Sequence, residues 1–544
     1  MKYIKRIFLF AIPALMLGAC TKDLNINPLT GAVASTVYNT PTSYIEGLAK
    51  VYAGFAVTGQ EGPAGEPDLS AATVDEGSSD YVRSYWSMQE YPTDEAVNHW
   101  NNQPGAEEFQ YHVFGWTSSN STVLTGMYDR IYFEVAIANE FIRQSASSIL
   151  ASKGFSASDV TNISYGRNEA RFLRALTYYH ALDLYGSVPL ITEADLPGSF
   201  LPKQVLRDTL FNYIESELLD LSNNNLLSAP GQSEYGRADE AAVWTLLAKL
   251  YLNAKVYTGV DRSTDCITYC NKVINSGVYS LSTANGDSSY ADIFLPDSHT
   301  TSASEIIFPI RMNGATTQSY GCTNFIIHAE VGGTMPDSVF GINGGWAGIT
   351  TTSAFVSLFD TTNDKRAMFW TDGQTLAIPA VSPATTVFTY GYGVTKFRNV
   401  SSTGVRPYPT LDYVSTDYPM FRYADVLLMY AESVLRGGSG GSSANALTYF
   451  NQIRQRGYGN TNGNFSTTPS LQDILNERGR ELYWEATRRT DLIRFGLFTT
   501  GTYLWPWKGG DASGTSVDTH YNLYPIPQTE LNSNPTLVQN PGYN

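Results

Sequence analysis

Two acidic pairs, Asp75-Glu76 and Asp94-Glu95, precede Trp100 in a segment rich in aromatic residues. Paired carboxylates are what hydrolysis of a glycosidic bond requires, one to protonate the leaving oxygen and one to act as base or nucleophile. The chain holds 51 acids, however, so acids near a given tryptophan are expected from abundance alone. Other catalytic patterns are absent: no Gly-x-Ser-x-Gly elbow, no His-Glu-x-x-His and no phosphate loop. The six histidines, His99, His112, His180, His299, His328 and His520, have no metal-ligand spacing. His99 reads as a solvated loop residue beside Trp100, with ligand contact as the alternative. Cys266, Cys270 and Cys322 form no Cys-x-x-Cys pair and read as small buried hydrophobes. The sequence calls for no enzyme activity and no cofactor; a structural calcium ion stays open.

A dense charge run, Glu477, Arg478, Arg480, Glu481, Glu485, Arg488, Arg489, Asp491 and Arg494, falls in a helix predicted over 471–495. Its spacing suits Glu–Arg pairs at i, i+3 and i, i+4 that tie this helix to a scaffold. Phosphate binding is the weaker reading, because no glycine-rich loop accompanies the run.

Only 16% of the 544 residues are charged, against roughly 25% in an ordinary soluble domain. Tyrosine (36) and tryptophan (9) are abundant, and both present a flat apolar face with a hydrogen-bonding tip suited to half-wet recognition surfaces. The net charge of −16 argues against nucleic acid or an anionic membrane surface as partner, since both need clustered Lys and Arg.

The N-terminus carries a targeting signal. Lys2, Lys5 and Arg6 precede the apolar stretch Ile7 to Leu17, followed by Leu17-Gly18-Ala19-Cys20. That stretch is too short to cross a bilayer. Cys20 stands where a bacterial lipobox places its acylated cysteine, so residues 1–19 read as a lipoprotein signal peptide and 20–30 as a lipidated tether. Removing 1–19 takes away three bases and no acids, which moves the net charge from −16 to −19.

The elements that must position any site are mainly helical. Helical periodicity is strong over 168–185, over 208–222, from Arg237 to Tyr257 and from Asp265 to Ile274, where Gly277 supplies a stop. A second pair, 423–435 and 444–456, with Gly457 as its stop, repeats the pattern. Both pairs resemble tetratricopeptide hairpins, with Ala248 and Ala431 at the crossings, but roughly 160 residues separate them, so they do not read as a tandem array. Two loop-rich excursions, about 50–125 and 280–415, interrupt the scaffold, the second with β-like runs at Glu305 to Arg311 and Asn324 to Val331. Binding residues are expected on these excursions.

Taken in order, the segments resemble the SusD/RagB family of outer-membrane lipoproteins. The resemblance is carried by 169–175 (EARFLRA), 184–190 (LYGSVPL), Gly236-Arg237-Ala238 and 422–428 (RYADVLL). It continues with Glu477-Arg478, Glu481-Leu482, Arg488, Asp491-Leu492, Arg494, 524–527 (YPIP) and 539–543 (QNPGY). It covers essentially all of 31–544 as a single SusD-like domain. It implies a mostly α fold, a tetratricopeptide-like scaffold with a loop-rich binding face, and a non-catalytic role. It also implies capture of oligosaccharide at the cell surface for a TonB-dependent, SusC-like transporter.

Segments 57–62, 67–69, 75–77, 92–95, 503–510 and 514–517 are closest to the family's starch-binding founding member. That likeness implies an aromatic arc of Trp100, Tyr320 and Trp346. Arg83 and an asparagine would bond the sugar hydroxyls, Asn102 in the favoured register with Asn101 or Gln103 as alternatives. The chain departs in keeping one tryptophan in Asn98-His99-Trp100 and in a shorter 360–385 segment, so laminarin-type β-glucan or fructan remain alternatives to starch.

Overall fold

The computed structural model describes residues 34–60, 67–69, 76–101, 105–196, 198, 200–407 and 412–543. Cys20, the signal segment and tether, Asp75, Asn102 and Gln103 lie outside the described residues.

Helices dominate. The scaffold begins with α1 (Pro41–Ala53), α2 (Tyr81–Glu90), α3 (Thr122–Gln144), α4 (Ala157–Leu184) and α5 (Arg207–Asn223). It continues with α6 (Glu240–Leu252) and α7 (Ser263–Asn275). The second excursion holds α8 (Cys322–Glu330), and after it come α9 (Tyr423–Leu435), α10 (Ser443–Tyr458), α11 (Leu471–Leu482) and α12 (Arg488–Arg494). Their starts follow capping chemistry: Asp239 accepts the amides of Ala241 and Ala242, and Ser470 and Asp473 form a reciprocal capping box.

Consecutive helices pack side by side from α3 through α7. The two hairpins predicted from the sequence are neighbours in space, because α7 packs directly on α9 and α9 on α10. Cys266, Ile267, Cys270 and Val273 of α7 are fully buried, and Ile267 and Ser263 lie so close to Gly438 that a Cβ there would sit 2.8 Å from each. All three cysteines are buried, as expected. The array is therefore continuous although the chain is not: the intervening residues are looped out as the second excursion. That excursion leaves and returns through one antiparallel pair, β2 (Ile306–Ile310) with β6 (Tyr418–Arg422). Two further two-stranded ribbons stiffen the excursions: β1 (Val97–Asn98) with β3 (Ile349–Thr350), and β4 (Phe369–Thr375) with β5 (Gly391–Val394).

Three local expectations are corrected. Asn324 to Glu330 is not β-like but lies in α8, and Val331 alone is extended, just past its end. Every residue of α8 is buried, so its apolar character is set by burial on all sides and carries no strand period. The helix predicted over 471–495 is two helices, broken where Trp484 and Ala486 take φ of 65° and 56°. Gly457 is not a stop; α10 runs on to Tyr458 and ends at Gly459, φ 67°, while Gly457 admits the Arg366 guanidinium, whose Nε would lie 2.4 Å from any Cβ there.

Candidate functional site

The two excursions meet at β1–β3, where Asn98 faces Ile349 and Val97 faces Thr350. Trp100 follows β1 directly, and Trp346 precedes β3. The turn carrying Trp346 folds back over the end of α8: the Trp346 amide donates to the His328 carbonyl (2.6 Å), Ala347 to Val331 (2.8 Å) and Gly348 to Ala329 (2.8 Å). The approach is close enough to need glycine, since a Cβ on Gly345 would lie 2.1 Å from the Val331 carbonyl oxygen. The Trp346 ring stacks on His328, with centroids 4.8 Å apart and planes 23° apart. His328 is buried, which pushes its pKa down and favours a neutral imidazole under the indole.

Tyr320 is fixed from the other excursion. Its amide donates to Glu76 Oε2 (2.9 Å), and two residues on the Cys322 amide donates to Asp80 Oδ1 (2.8 Å). Asp80 also caps α2 by accepting the Arg83 amide at 2.8 Å. One buried carboxylate thus staples the start of α8 to the start of α2, and burial pushes its pKa up to about 6 against those two amides. The residues flanking both rings hold uncommon backbone: Cys322 has φ 48° and Ala347 has φ 51°. Non-glycine residues in this region are strained and concentrate at ligand sites.

At the surface Tyr320 and Trp346 lie side by side, centroids 6.2 Å apart and planes inclined at 62°. Tyr320 is 39% exposed and Trp346 half-buried. A third ring adjoins them. Tyr413 lies 5.6 Å from Tyr320 at 45°, with its hydroxyl 3.3 Å from the Tyr320 hydroxyl. The three make a curved shelf of ring faces and edges.

The structure brings Arg83, Trp100, Tyr320 and Trp346 together but gives them different positions. Trp100 is 6% exposed and lies beneath the shelf. Its indole N–H donates to the Trp346 carbonyl (3.1 Å), its ring meets Phe325 edge-on at 5.9 Å, and Gly348 touches it where no Cβ would fit. Arg83 is 2% exposed, 3.7 Å from Glu108, with its guanidinium 4.5 Å over the Phe325 ring. These two brace the rings from below. Asn101 is exposed, next in sequence to Trp100. His99 is not solvated: it is 3% exposed, each ring nitrogen lies 2.6 Å from a threonine hydroxyl (Thr386 and Thr350), and burial pushes its pKa down to about 3. Sequence reading missed Tyr413 and the His328 stack. The composition of the second excursion was the one available signal for Tyr413, and none marked His328.

The acids near Trp100 are engaged elsewhere. Asp94 accepts both Arg488 nitrogens (2.8 and 2.9 Å) and the Tyr503 hydroxyl (2.6 Å). Glu95 is buried and accepts the Trp484 amide at 3.1 Å, and Glu76 holds Tyr320. Neither Asp94 nor Glu95 faces the shelf from solvent. Among the described residues no group of three or more His, Cys, Asp or Glu is placed to hold a metal ion, and no helix is long and apolar enough to cross a membrane. A hollow of about 870 Å³ lies elsewhere, between α1 and the first half of α4, and shares no residue with the shelf.

Comparison with known proteins bears on the family and the fold. The SusD family model matches residues 377–543. The chain is 32% identical to the starch-binding protein SusD of Bacteroides thetaiotaomicron, over all of this chain and 99% of that one. Among solved structures, surface glycan-binding protein A of Bacteroides fluxus superimposes with a TM-score of 0.68 at 20% identity, covering 93% of this chain and all of that one. The protein of the same name from Bacteroides thetaiotaomicron, in complex with laminarihexaose, gives 0.67 at 20% identity, covering 92% and 99%. At that identity these two are likenesses of fold.

Proposed function

The chain belongs to the SusD family, and we propose that it is a non-catalytic, cell-surface glycan-binding protein whose ligand is starch or maltooligosaccharide. The observation that carries this reading is the adjoining pair of exposed Tyr320 and half-buried Trp346, built out on strained backbone and braced by buried residues. Flat rings desolvate the C–H faces of a pyranose, while an exposed asparagine such as Asn101 takes hydroxyls. Rings inclined at 62° follow a curved chain better than a flat ribbon. The relative of 32% identity bears the name starch-binding protein, which favours an α-glucan. The complex of a fold relative with laminarihexaose makes a β-glucan the second reading. Stacking contributes about 1 kcal/mol per ring, so affinity in the micromolar to millimolar range, about 4–8 kcal/mol, is expected.

Cys20 would anchor the mature protein by lipid to the outer membrane. A TonB-dependent transporter would receive the captured oligosaccharide. The engaged state of Asp94, Glu95 and Glu76 favours binding over hydrolysis. Affinity electrophoresis against starch, laminarin and levan, with a reducing-sugar assay on the same samples, tests both points. Retention by starch without sugar release is expected; release that a single Asp or Glu substitution removes would overturn the non-catalytic reading.

A further inference from the structure

We propose that Tyr413 is a third sugar-contacting residue, and that its hydroxyl and that of Tyr320 together dock a vicinal diol of one glucose unit. The inference rests on the glycan-binding reading and adds a residue that neither the motif pattern nor the comparisons assign. Tyr413 is held as firmly as the other two rings. Its carbonyl oxygen would lie 2.6 Å from a Cβ on Gly314, so the two backbones touch. The next residue, Val414, donates its amide to Asn324 Oδ1 (3.2 Å), and Ser415 donates to Asn399 Oδ1 (2.9 Å) while its hydroxyl accepts the Gly314 amide (3.0 Å). On the other side Asp412 accepts the Asn343 side chain, which lies on the turn leading to Trp346. The loop that presents Tyr413 is thus tied to both the α8 helix and the Trp346 turn.

This scaffolding presents a half-buried ring that packs on Tyr320 at the rim and belongs to no core cluster. The Tyr413 hydroxyl donates to the Tyr320 hydroxyl at 3.3 Å. That leaves the Tyr320 hydroxyl hydrogen free to serve as a donor and lone pairs on Tyr413 as acceptors. Two adjacent hydroxyl groups offering one donor and one acceptor match the two neighbouring hydroxyls on a glucopyranose edge. Burial and the hydrogen bond to the Tyr320 phenol push the Tyr413 pKa up, so its hydroxyl stays protonated at physiological pH.

Titration calorimetry with maltoheptaose and with laminarihexaose, on the full mature chain, tests the assignment. Tyr413→Phe keeps the ring and its packing, and is expected to weaken binding of the preferred glucan about fivefold, with an unchanged melting temperature. Tyr413→Ala is expected to weaken it at least tenfold. Tyr413→Phe combined with Tyr320→Phe should be less harmful than the product of the two single effects, because the hydroxyls act as one unit. Wild-type affinity in both Tyr413 variants, with binding lost in Trp346→Ala, would overturn the role of Tyr413 and leave the glycan-binding reading intact. Wild-type affinity in Trp346→Ala as well, or no binding of either glucan by the wild type, would overturn the reading on which it rests.

Discussion

Two regions of the molecule use side chains in opposite ways. Beneath the second excursion, α11 and its neighbours hold a buried ionic lattice. Arg366 joins Asp364 (2.7 Å), Glu477 (2.7 Å) and Glu481 (3.0 Å), while Arg422 joins Glu305 (2.9 Å), Glu481 (2.6 Å) and Glu485 (2.6 Å), all within 9% exposure. The shelf above the α8 helix presents aromatic rings and amides and no charged side chain among Tyr320, Trp346 and Tyr413. A low average charge therefore hides a partition: a large set of paired charges lies buried, where it fixes how the excursions leave the scaffold, and the three rings of the shelf are neutral. Buried ion pairs are weak evidence for net stability, but removing one partner is costly because it strands the other. Rings at the surface are the reverse: they contribute little to folding and are accessible for the ligand contact proposed for them.

The largest expected effect comes from breaking the lattice. Glu481→Ala takes one carboxylate partner from each of Arg366, Arg422 and Arg456 and leaves three buried guanidiniums under-compensated, and should lower unfolding stability by about 3–5 kcal/mol in urea titration. An unchanged midpoint would show that the lattice is dispensable. Trp100→Ala crosses the two regions, since Trp100 is a buried brace beneath an exposed ring. It should lose about 3–5 kcal/mol of stability and weaken glucan binding together; binding loss with full stability would instead place Trp100 at the ligand.

Acidity separates the regions next. Burial alone would raise Glu481, but the guanidiniums of Arg456, Arg422 and Arg366 outweigh it and bring it down to about 2. Glu432 is likewise brought down to about 2, mainly by Arg494 against the effect of burial, and Asp425 and Glu477 are also held low. Their folded values lie below the unfolded ones, so their contribution is complete above about pH 4.5 and lost as pH falls toward 2. Burial pushes Glu90 and Glu134 the other way, up to about 7 and about 8. Their contribution is complete below the unfolded value and lost as pH rises through the folded ones. The melting temperature should peak near pH 5 and fall on both sides, while glucan affinity stays flat from about pH 7 to about pH 8, above the Asp80 pKa of about 6. A flat melting profile would contradict the assignment of these groups. Smallest of all is the expected salt response: affinity should change less than about twofold between about 50 and about 500 mM NaCl, as no charge pair with ligand is involved.

The hairpins were legible because their apolar stripes repeat with the helical period and their ends carry cap residues such as Asp239 and Gly277. The pairing role of the 477–494 charges was legible from spacing alone, although the break at Trp484 was not, because positive φ at Trp and Ala has no local sequence signal. That α7 would meet α9 could not be read along the chain, since the contact joins segments on either side of the excursion. In the site, the resemblance located Tyr320 and Trp346, which the structure places at the surface. It could not give the depth of Trp100 and Arg83, because depth depends on how α8 and the Trp346 turn fold over them. Tyr413 escaped for the same reason: its neighbour Tyr320 is far away in sequence.

The central claim is that exposed rings bind glycan independently of the buried scaffold. Its most direct test is calorimetric titration of maltoheptaose into wild type and Trp346→Ala, with thermal melts of both. The account predicts saturable binding by the wild type, none measurable by the variant, and melting temperatures within a few degrees. Equal affinity in the two proteins, or loss of binding accompanied by loss of the fold, would contradict it.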